Sequence, residues 1–307
     1  MNSIESVNLT KKFGSFVSVD SVSFQVKQGE IFGFLGSNGA GKSTTIRMLC
    51  GILEPTSGDA FVGGFSIKKE SDKVKRNIGY MSQRFSLYND LTVEENINFF
   101  GGIYGLDGKR LEERKGWALK IANLENQKNI LTGSLPGGIK QRLALGTAVI
   151  HQPKIVFLDE PTSGVDPISR RNFWDLINDL SAEGITIFVT THYLEEAEFC
   201  NNIMLINAGK IIAEGSPKEL KSNYLTHDIL EIECDNAVAA LELLENSVFV
   251  EETSIFGNNI HISVNDKYKS EGQIREILSG HNLQVQRIKK IVPTLEDVFI
   301  HLIENKG

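Results

Sequence analysis

A glycine-rich run near the start of the chain has the residue types and spacing that hold phosphate groups. The run is Gly36, Ser37, Asn38, Gly39, Ala40, Gly41, Lys42, Ser43 and Thr44. It matches G-x-x-x-x-G-K-[ST] and lies between a strand-like and a helical segment. Glycines let successive backbone N–H groups point into one concavity, and the helix opening at Gly41 adds its partial positive charge. We expect Lys42 to reach the β- and γ-phosphates and Ser43 to bind Mg²⁺, so the run predicts a nucleoside triphosphate site with its metal.

Two adjacent acids close a second apolar segment. Asp159 and Glu160 follow residues 155–158, which are typical of a strand buried on both faces. At the carboxyl end of such a strand, beside the phosphate loop, Asp159 suits a Mg²⁺ ligand. Glu160 suits a general base that deprotonates an attacking water. The plainer alternative is that either acid caps a helix or faces solvent.

Two further polar residues end other strand-like runs. Gln83 follows residues 78–81, and His192 follows residues 187–191. Both are therefore expected at the sheet edge that carries the phosphates. Taken alone, a histidine after a strand is more often a structural residue than a functional one.

Strand-like and helical segments alternate around these residues. Strands are expected near 4–9, 22–26, 30–35, 59–64, 77–81, 154–158, 185–190 and 203–206, and helices near 42–53, 109–122 and 167–182. Thr92 and Glu95 form a capping-box pattern, and residues 90–152 are predicted to be a helical subdomain. The alternation predicts a parallel α/β core within residues 1–220. The weaker, more polar elements of residues 221–307 predict a small α+β domain.

Length and composition bound the class of protein. The 307 residues suffice for about two domains, and 41% hydrophobic and 23% charged residues are ordinary for a globular chain. A net charge of −7 argues against a polybasic nucleic-acid binder, so no nucleic-acid partner is expected. The cysteines Cys50, Cys200 and Cys234 are scattered and are interpreted as packing residues of a reducing compartment. No apolar run approaches the ~18 residues of a membrane span, and the start of the chain lacks a secretory signal pattern, so a cytoplasmic location is expected.

Taken in order, the motifs of residues 2–220 resemble those of the ATP-binding subunit of an ABC transporter. The resemblance implies a P-loop NTPase core with an antiparallel β subdomain and a helical subdomain, and ATP as the nucleotide. It implies that Phe13 stacks on adenine, with Phe16 as a close competitor. It also implies that Gln83 links the nucleotide and its metal to a membrane partner, and that His192 is the switch histidine at the γ-phosphate.

The signature of that family is altered in this chain. Residues 135–142 read L-P-G-G-I-K-Q-R, where the family has L-S-G-G-Q-x-Q-R. In the family this segment closes over the γ-phosphate bound by a second subunit, and the resemblance places Pro136, Gly137 and Gly138 there. Pro136 brings neither a hydroxyl nor an N–H group, although both glycines and the helix start remain. Loss of one hydrogen bond predicts a closed dimer weaker by about 1 to 3 kcal/mol, and hence an active but slow ATPase.

The resemblance also implies partners. Asp166 ends the loop 163–166 that faces the second cassette of a homodimer or heterodimer, so that two ATP molecules lie between two subunits. A chain without a membrane span needs a separate membrane permease, whose coupling helix is expected in a cleft near residues 83–90. The chain would then sit on the inner face of the cell membrane.

The direction of transport and the alternative functions depend on weaker sequence signals. Residues 293–299, P-T-L-E-D-V-F, resemble an ending found in drug, antibiotic and polysaccharide export ATPases, and an ordinary amphipathic terminal helix is the alternative. Export is the favoured direction. A soluble, non-transport ABC ATPase acting as a regulator or mechanical switch remains the alternative function. For residues 221–307, dimer support, permease contact and regulation stay open.

Overall fold

The computed structural model, which describes residues 2–83, 86–225, 227–264 and 267–306, places the motifs in the first of two units. Unit 1 is Met1–Glu214, and unit 2 is Gly215–Gly307. The boundary expected at Lys221 lies within a helix, Pro217–Tyr224, that belongs to unit 2.

Unit 1 is built from strands, α-helices and two short 3-10 helices. Its strands are β1 (Asn2–Phe13), β2 (Phe16–Lys27), β3 (Ile31–Leu35), β4 (Ser57–Val62), β5 (Phe65–Ser66), β6 (Ile78–Met81), β7 (Ile155–Asp159), β8 (Thr186–Thr191), β9 (Asn202–Asn207) and β10 (Lys210–Gly215). Its α-helices are α1 (Lys42–Leu49), α2 (Ser71–Asn77), α3 (Val93–Ile103), α4 (Gly108–Ala122), α5 (Gly137–Ala148) and α6 (Pro167–Ala182). The 3-10 helices are Thr132–Ser134 and Leu194–Phe199.

A six-stranded sheet in the order β10-β9-β3-β8-β7-β6 forms the centre of unit 1. β3 is parallel to β8 and β9, and β7 is parallel to β6 and β8. All residues of β3, β7 and β8 are buried, as in parallel sheets covered on both faces. The carboxyl ends of these strands meet at one edge, which confirms the predicted α/β core.

A second sheet of unit 1, in the order β2-β1-β4-β5, is antiparallel. It shares one core with the central sheet, because Phe24 of β2 stacks on Phe32 of β3 and contacts Phe188 of β8, with ring centroids 5.7 and 5.9 Å apart. Ile46 and Leu49 of α1 are buried in the same core. Burial of these rings and of the two aliphatic side chains fixes the position of β3 and α1, the two elements that flank the phosphate loop.

The helical subdomain begins as the sequence predicts. The Glu95 N–H donates to Thr92 Oγ1 at 3.2 Å, and the Thr92 N–H donates to Glu95 Oε2 at 2.8 Å, so the capping box at the start of α3 is confirmed. The helix predicted over 42–53 ends earlier, at Leu49. Gly51 takes a φ of 67° and donates its N–H to the Met48 carbonyl, which turns the chain out of the helix.

Unit 2 is a four-stranded antiparallel sheet with helices. Its elements are α7 (Pro217–Tyr224), β11 (Asp228–Cys234), α8 (Ala237–Leu244), β12 (Val250–Phe256), β13 (Asn259–Val264), α9 (Lys267–Gly280), β14 (Val285–Ile291) and α10 (Leu295–Lys306). The strand order is β12-β13-β11-β14. Alternate residues of β11 and β13, among them Leu230 and Ile262, bury a core with α8 and α9. The predicted α+β character of this region is confirmed.

The three cysteines are free and buried, which agrees with their interpretation as packing residues. Burial raises the pKa of the Cys50 thiol well above its usual value, and the negative charge of Asp159 adds to the shift. Across the described ranges, none of the helices combines the length and apolar content that crossing a bilayer requires.

Candidate functional site

The phosphate loop connects β3 to α1 and depends on its glycines. Gly39 and Gly41 adopt φ values of 82° and 108°, which side-chain-bearing residues rarely take. A Cβ atom at Gly41 would lie 2.5 Å from the Ser18 carbonyl oxygen, and one at Gly36 would collide with the Ile206 carbonyl oxygen. The loop is therefore held against neighbouring backbone, with helix α1 starting at Lys42.

Lys42 is buried beneath this loop. Its Nζ atom donates to the Gly36 carbonyl at 2.9 Å and to the Ser37 carbonyl at 3.1 Å. It also lies 3.2 Å from Glu160 Oε1, in an ion pair whose members are both buried. The ammonium group thus donates to two loop carbonyls, and its ion pair with Glu160 joins the phosphate loop to the end of β7.

Asp159, the last residue of β7, is buried and directly faces the loop. Its Oδ1 atom accepts hydrogen bonds from Ser43 Oγ at 2.9 Å and from Thr190 Oγ1 at 2.8 Å. Its Oδ2 atom is buried without a hydrogen-bond partner among the described residues. Burial raises the pKa of this carboxyl above its usual value, and the hydrogen bonds from Thr190 and Ser43 oppose that shift.

The unpartnered Oδ2 atom of Asp159 indicates whether a metal ion fits this position. A buried carboxylate oxygen without a donor is costly unless a ligand supplies the missing charge or proton. The neighbouring Ser43 hydroxyl adds a second oxygen, and oxygen ligands are those that Mg²⁺ prefers. The residues present therefore fit a Mg²⁺ ion beside the phosphate loop.

Glu160 follows β7 in an unusual backbone conformation. Its φ of 47° is left-handed, and its N–H donates to the carbonyl oxygen and to the hydroxyl oxygen of Thr190, at 3.1 and 3.0 Å. Gln83 Nε2 donates to Glu160 Oε2 at 3.0 Å. His192 Nδ1 lies 3.3 Å from the same oxygen without hydrogen-bond geometry. Three of the predicted site residues, Lys42, Gln83 and His192, thus converge on the carboxylate of a fourth.

A cavity of about 420 Å³ opens on this cluster. Its lining includes phosphate-loop residues together with Phe13, Phe16, Gln83 and Glu160. Phe13 and Phe16 face each other across the β1–β2 hairpin and are 49% and 61% exposed. Because both rings stand at the cavity, the assignment of adenine stacking to Phe13 stays a prediction.

The signature residues lie apart from this cavity. Pro136 is exposed and precedes α5, which starts at Gly137. Asp166 precedes α6, and its side chain accepts the Ser169 N–H at 3.0 Å. A Cβ atom at Gly138 would collide with the Ser169 hydroxyl, so the starts of α5 and α6 are in contact. Pro136, Gly137, Gly138 and Asp166 therefore form a second group of predicted residues, which does not line the cavity of this chain.

Two residues at the site were missed by the sequence motifs. Thr190 bonds to both acids, and its only signal is its place two residues before His192. Ser18 Oγ donates to Thr44 Oγ1 at 2.9 Å, and no motif marks Ser18. Both contacts join segments that are far apart in the sequence.

Two family profiles match the chain. One, described as "ABC transporter", matches residues 19–163. The other, described as "ATP-binding protein DrrA1-3-like, C-terminal domain", matches residues 215–303. The first covers the phosphate loop and both acids, and the second covers most of unit 2.

Curated relatives are similar to this chain across both units. The "Probable multidrug ABC transporter ATP-binding protein YbhF" of Escherichia coli is 52% identical over 219 residues, which are 71% of this chain. The chain spans only 38% of the length of that relative. The "Nod factor export ATP-binding protein I" of Ralstonia nicotianae is 34% identical over 295 residues, which are 96% of this chain and 91% of the relative.

A solved structure shows the same fold over about two thirds of the chain. It is titled "Dimeric structure of a post-hydrolysis state of the ATP-binding cassette MJ0796 bound to ADP and Pi". It matches with a TM-score of 0.64 and 27% sequence identity, over 69% of this chain and 98% of the solved chain.

Proposed function

The chain belongs to the ATP-binding proteins of ABC transporters, and on that premise we propose that it binds and hydrolyses ATP to energise a transporter through a separate membrane permease. The observation that carries this proposal is the contact between the phosphate loop and the acids of β7. Lys42 pairs with Glu160, and Ser43 donates to Asp159 across 116 residues of sequence. An anion-binding loop beside two acids is the arrangement that MgATP hydrolysis needs.

Mg²⁺ would be held by Ser43 and Asp159, with the amide oxygen of Gln83 as a further candidate ligand. When bound, the ion neutralises charge on the phosphate oxygens and orients them for displacement. Ser43 and Asp159 are already in hydrogen-bond contact, so their oxygens are brought together before the ion arrives. Asp159 is held by two donors on Oδ1, which leaves Oδ2 for the ion.

Glu160 is proposed as the general base. A water oxygen attacks the γ-phosphorus, the bond to the bridging oxygen of ADP breaks, and the water proton passes to the Glu160 carboxylate. Lys42 binds the β- and γ-phosphates and holds them against the loop N–H groups. Triphosphate oxygens compete for the Lys42 ammonium, which otherwise pairs with Glu160 and donates to loop carbonyls. His192 and Gln83, which already contact Glu160, are placed to orient the base and the γ-phosphate.

Closure of the site is proposed to need a second cassette, as a homodimer or a heterodimer. Pro136, Gly137, Gly138 and Asp166 do not line the cavity of their own chain, as expected of residues that serve the nucleotide of a partner. The solved relative bound to ADP and Pi is a dimer by its title, which supports this assembly. Pro136 supplies no donor to that interface, which supports a slow ATPase.

An exposed aromatic patch is proposed to receive the permease. It consists of Tyr88, Phe99, Phe100 and Ile103. The Tyr88 and Phe99 ring centroids are 4.9 Å apart, those of Phe99 and Phe100 are 5.4 Å apart, and Ile103 is largely exposed. The patch adjoins the predicted cleft at residues 83–90, of which Arg84 and Phe85 lie outside the described residues. Its apolar rings suit the apolar face of a coupling helix.

Export is the proposed direction, with the chain peripheral on the inner face of the cell membrane. The names of the relatives, a multidrug transporter protein and a Nod factor export protein, support export. The segment 293–299, which resembles an ending of export ATPases, supports the same direction. Dimer support, permease contact and regulation are each compatible with unit 2 as it stands.

Glu160→Gln tests the catalytic part of the proposal. Turnover is expected to fall about 100-fold or more, because a positioned general base contributes that much. ATP affinity should stay within about threefold of wild type, since Gln keeps the shape of the side chain, and an ATP-bound dimer should accumulate. Glu195→Gln is the matched control, because Glu195 is an exposed acid that pairs with Arg170 away from the cavity. Hydrolysis by Glu160→Gln at the wild-type rate would place the base elsewhere.

A pull-down tests the transporter part. The tagged Glu160→Gln chain with ATP, added to native membranes in mild detergent, is expected to co-purify a polytopic membrane protein in about equal amount. Phe99→Ser should lose that partner, whereas Phe61→Ser, on the antiparallel sheet, should keep it; both side chains are 41% exposed. Ribosomes, DNA or no membrane partner would instead favour a soluble regulator.

A further inference from the structure

Thr190 lies next to both acids but belongs to none of the motifs. It is fully buried in β8 and pairs with Asp159 in the parallel register between β7 and β8. A threonine on a buried central strand is unremarkable by itself, because β-branched residues favour strands. The hydrogen bonds of its hydroxyl group distinguish it.

The Thr190 hydroxyl contacts each acid in a different role. It donates its single proton to Asp159 Oδ1 at 2.8 Å, and its oxygen accepts the Glu160 N–H at 3.0 Å. One hydroxyl proton and its lone pairs are thus both used, which fixes the direction of both bonds. One side chain therefore couples the position of the Asp159 carboxylate to that of the Glu160 backbone.

The bond to Asp159 selects which oxygen is left open. Ser43 and Thr190 both donate to Oδ1, and Oδ2 has no partner among the residues that the structure describes. Without the Thr190 hydroxyl, one of the two bonds that hold Oδ1 disappears and the carboxylate gains freedom to rotate. The metal-facing oxygen would then no longer be defined.

The bond to Glu160 supports a strained turn. Glu160 has a φ of 47°, a conformation that non-glycine residues rarely adopt and that persists only where surrounding contacts hold it. Its N–H is held by the Thr190 carbonyl and hydroxyl oxygens together. These bonds fix where the Glu160 side chain leaves the backbone.

We propose that Thr190 is a positioning residue that orients Asp159 toward the metal and Glu160 toward the attacking water. The proposal rests on the proposed function, namely Mg²⁺-dependent ATP hydrolysis at this site. Thr190 acts through the two acids, because it is fully buried and is not among the residues that line the cavity. Removal of the Thr190 hydroxyl should therefore lower two quantities, the Mg²⁺-dependent gain in ATP affinity and the turnover rate. Nucleotide binding without metal should weaken less.

The test compares Thr190→Val, Thr190→Ser and the control Thr186→Val in the full chain. Valine keeps the shape and loses the hydroxyl, whereas serine keeps the hydroxyl. Thr186 lies on the same strand and is equally buried, but its hydroxyl bonds to Ser3 and to the Gly29 N–H, away from the site. ATP affinity is measured with Mg²⁺ and with a chelator in a Glu160→Gln background, and kcat is measured in the wild-type background.

Thr190→Val is expected to lower kcat and the Mg²⁺-dependent gain in ATP affinity by about 10- to 100-fold, the usual effect of removing a partner of a metal ligand. Metal-free affinity should change less than about twofold, and Thr190→Ser should restore both readouts to within about threefold. Thr186→Val should leave the Mg²⁺-dependent gain unchanged. A wild-type Mg²⁺ gain and kcat in Thr190→Val, or equal losses in Thr186→Val, would overturn the proposal.

Asp159→Asn separates this proposal from the one on which it rests. If Asp159→Asn removes the Mg²⁺-dependent gain and Thr190→Val does not, the role of Thr190 alone is wrong. If Asp159→Asn leaves that gain intact, the metal assignment itself is wrong, and the role of Thr190 is overturned with it.

Discussion

The two units each bury a carboxylate, and they satisfy it in opposite ways. In unit 1, Asp159 has one oxygen with two donors and one with none among the described residues, beside a cavity of about 420 Å³. In unit 2, Asp297 Oδ1 is 2.9 Å from His261 Nδ1, and its Oδ2 accepts from the Thr294 N–H and hydroxyl at 2.7 Å. The cavity beside that pair measures only about 20 Å³.

The difference separates the proposed ligand site at Asp159 from the structural position at Asp297. Burying a charge is costly in both units, and each carboxylate must find partners. Asp297 finds all of them within the chain, as part of a cap at the start of α10. Asp159 leaves one oxygen open, so a ligand has to complete the set. Incomplete hydrogen bonding next to an accessible cavity, more than burial or charge, is the feature that supports the proposed binding position at Asp159.

Substitution of Lys42 should have the largest effect on ATP binding and on the stability of unit 1. Lys42→Met is expected to weaken ATP binding by at least about 100-fold, because the cation that faces the phosphates is lost. It should also destabilise unit 1 by about 3 kcal/mol, since Glu160 loses its buried cation. Fluorescence titration with a labelled ATP analogue and urea unfolding followed by tryptophan fluorescence measure the two effects.

The double variant Lys42→Met with Glu160→Gln is the control for that destabilisation. Neutralising Glu160 removes the unpaired charge, so most of the lost stability should return while ATP binding stays lost. Equal stability of the single and double variants would mean that the unpaired Glu160 carboxylate costs no stability. The contrast between the sites of Asp159 and Asp297 would then lose its energetic basis.

The fold was more predictable than the lengths of its elements. β3, β7 and β8 each contain a short apolar run, at residues 31–35, 155–158 and 187–189, so their strands and their shared edge follow from sequence. β1 and β2 are longer than the predicted strands 4–9 and 22–26. The prediction fell short because both strands are irregular: Asn8 and Ser21 have positive φ values, and the register shifts near them. Such irregularities break the alternation that marks a strand, and only pairing with a neighbour reveals them.

The site was predictable as a set of residues but not as a network. Strand ends and the loop motif place Lys42, Asp159 and Glu160 together, because parallel strands end at a common edge. The left-handed turn at Glu160 and the bonds of Thr190 depend on three-dimensional contacts that no local pattern encodes. Likewise, Asp297 lies in a segment that the sequence singles out, yet its partner His261 is 36 residues away.

Pro136→Ser should have an intermediate effect, confined to the assembled dimer. Restoring a hydroxyl and an N–H at the start of α5 is expected to tighten the ATP-bound dimer by about 1 to 3 kcal/mol, roughly five- to a hundredfold, and to raise turnover. Sedimentation of the Glu160→Gln form with ATP measures the dimer. Pro136→Ala, which restores only the N–H, separates the two groups.

A serine before a helix also stabilises the helix itself, so monomer unfolding must be measured alongside. A gain in monomer stability with no gain in dimerisation or turnover would show that the proline is a neutral variation. The second group of site residues, outside the cavity, would then lose its proposed role toward a partner.

Asp297→Asn should have the smallest effect, limited to unit 2. Burial raises the pKa of Asp297, but the hydrogen bonds with His261 and Thr294 and the charge of His261 together outweigh it, so the pKa lies below its usual value. The stabilisation from this carboxylate is therefore complete above the unfolded pKa of about 3.9 and is lost as the pH falls through the lower folded pKa. We expect the variant to lose about 1 to 2 kcal/mol of stability in α10 and β13 at neutral pH, measured by hydrogen exchange, and the gap from wild type to close below about pH 4.

The two tryptophans, Trp117 and Trp174, lie in unit 1 and supply an internal control. Asp297→Asn should leave tryptophan-monitored unfolding and ATP affinity unchanged, because Asp297 is satisfied by its own chain and offers no open oxygen to a ligand. A loss of ATP affinity in this variant would mean that Asp297 also serves the nucleotide. Hydrogen bonding of a buried carboxylate would then not separate functional from structural positions in this protein.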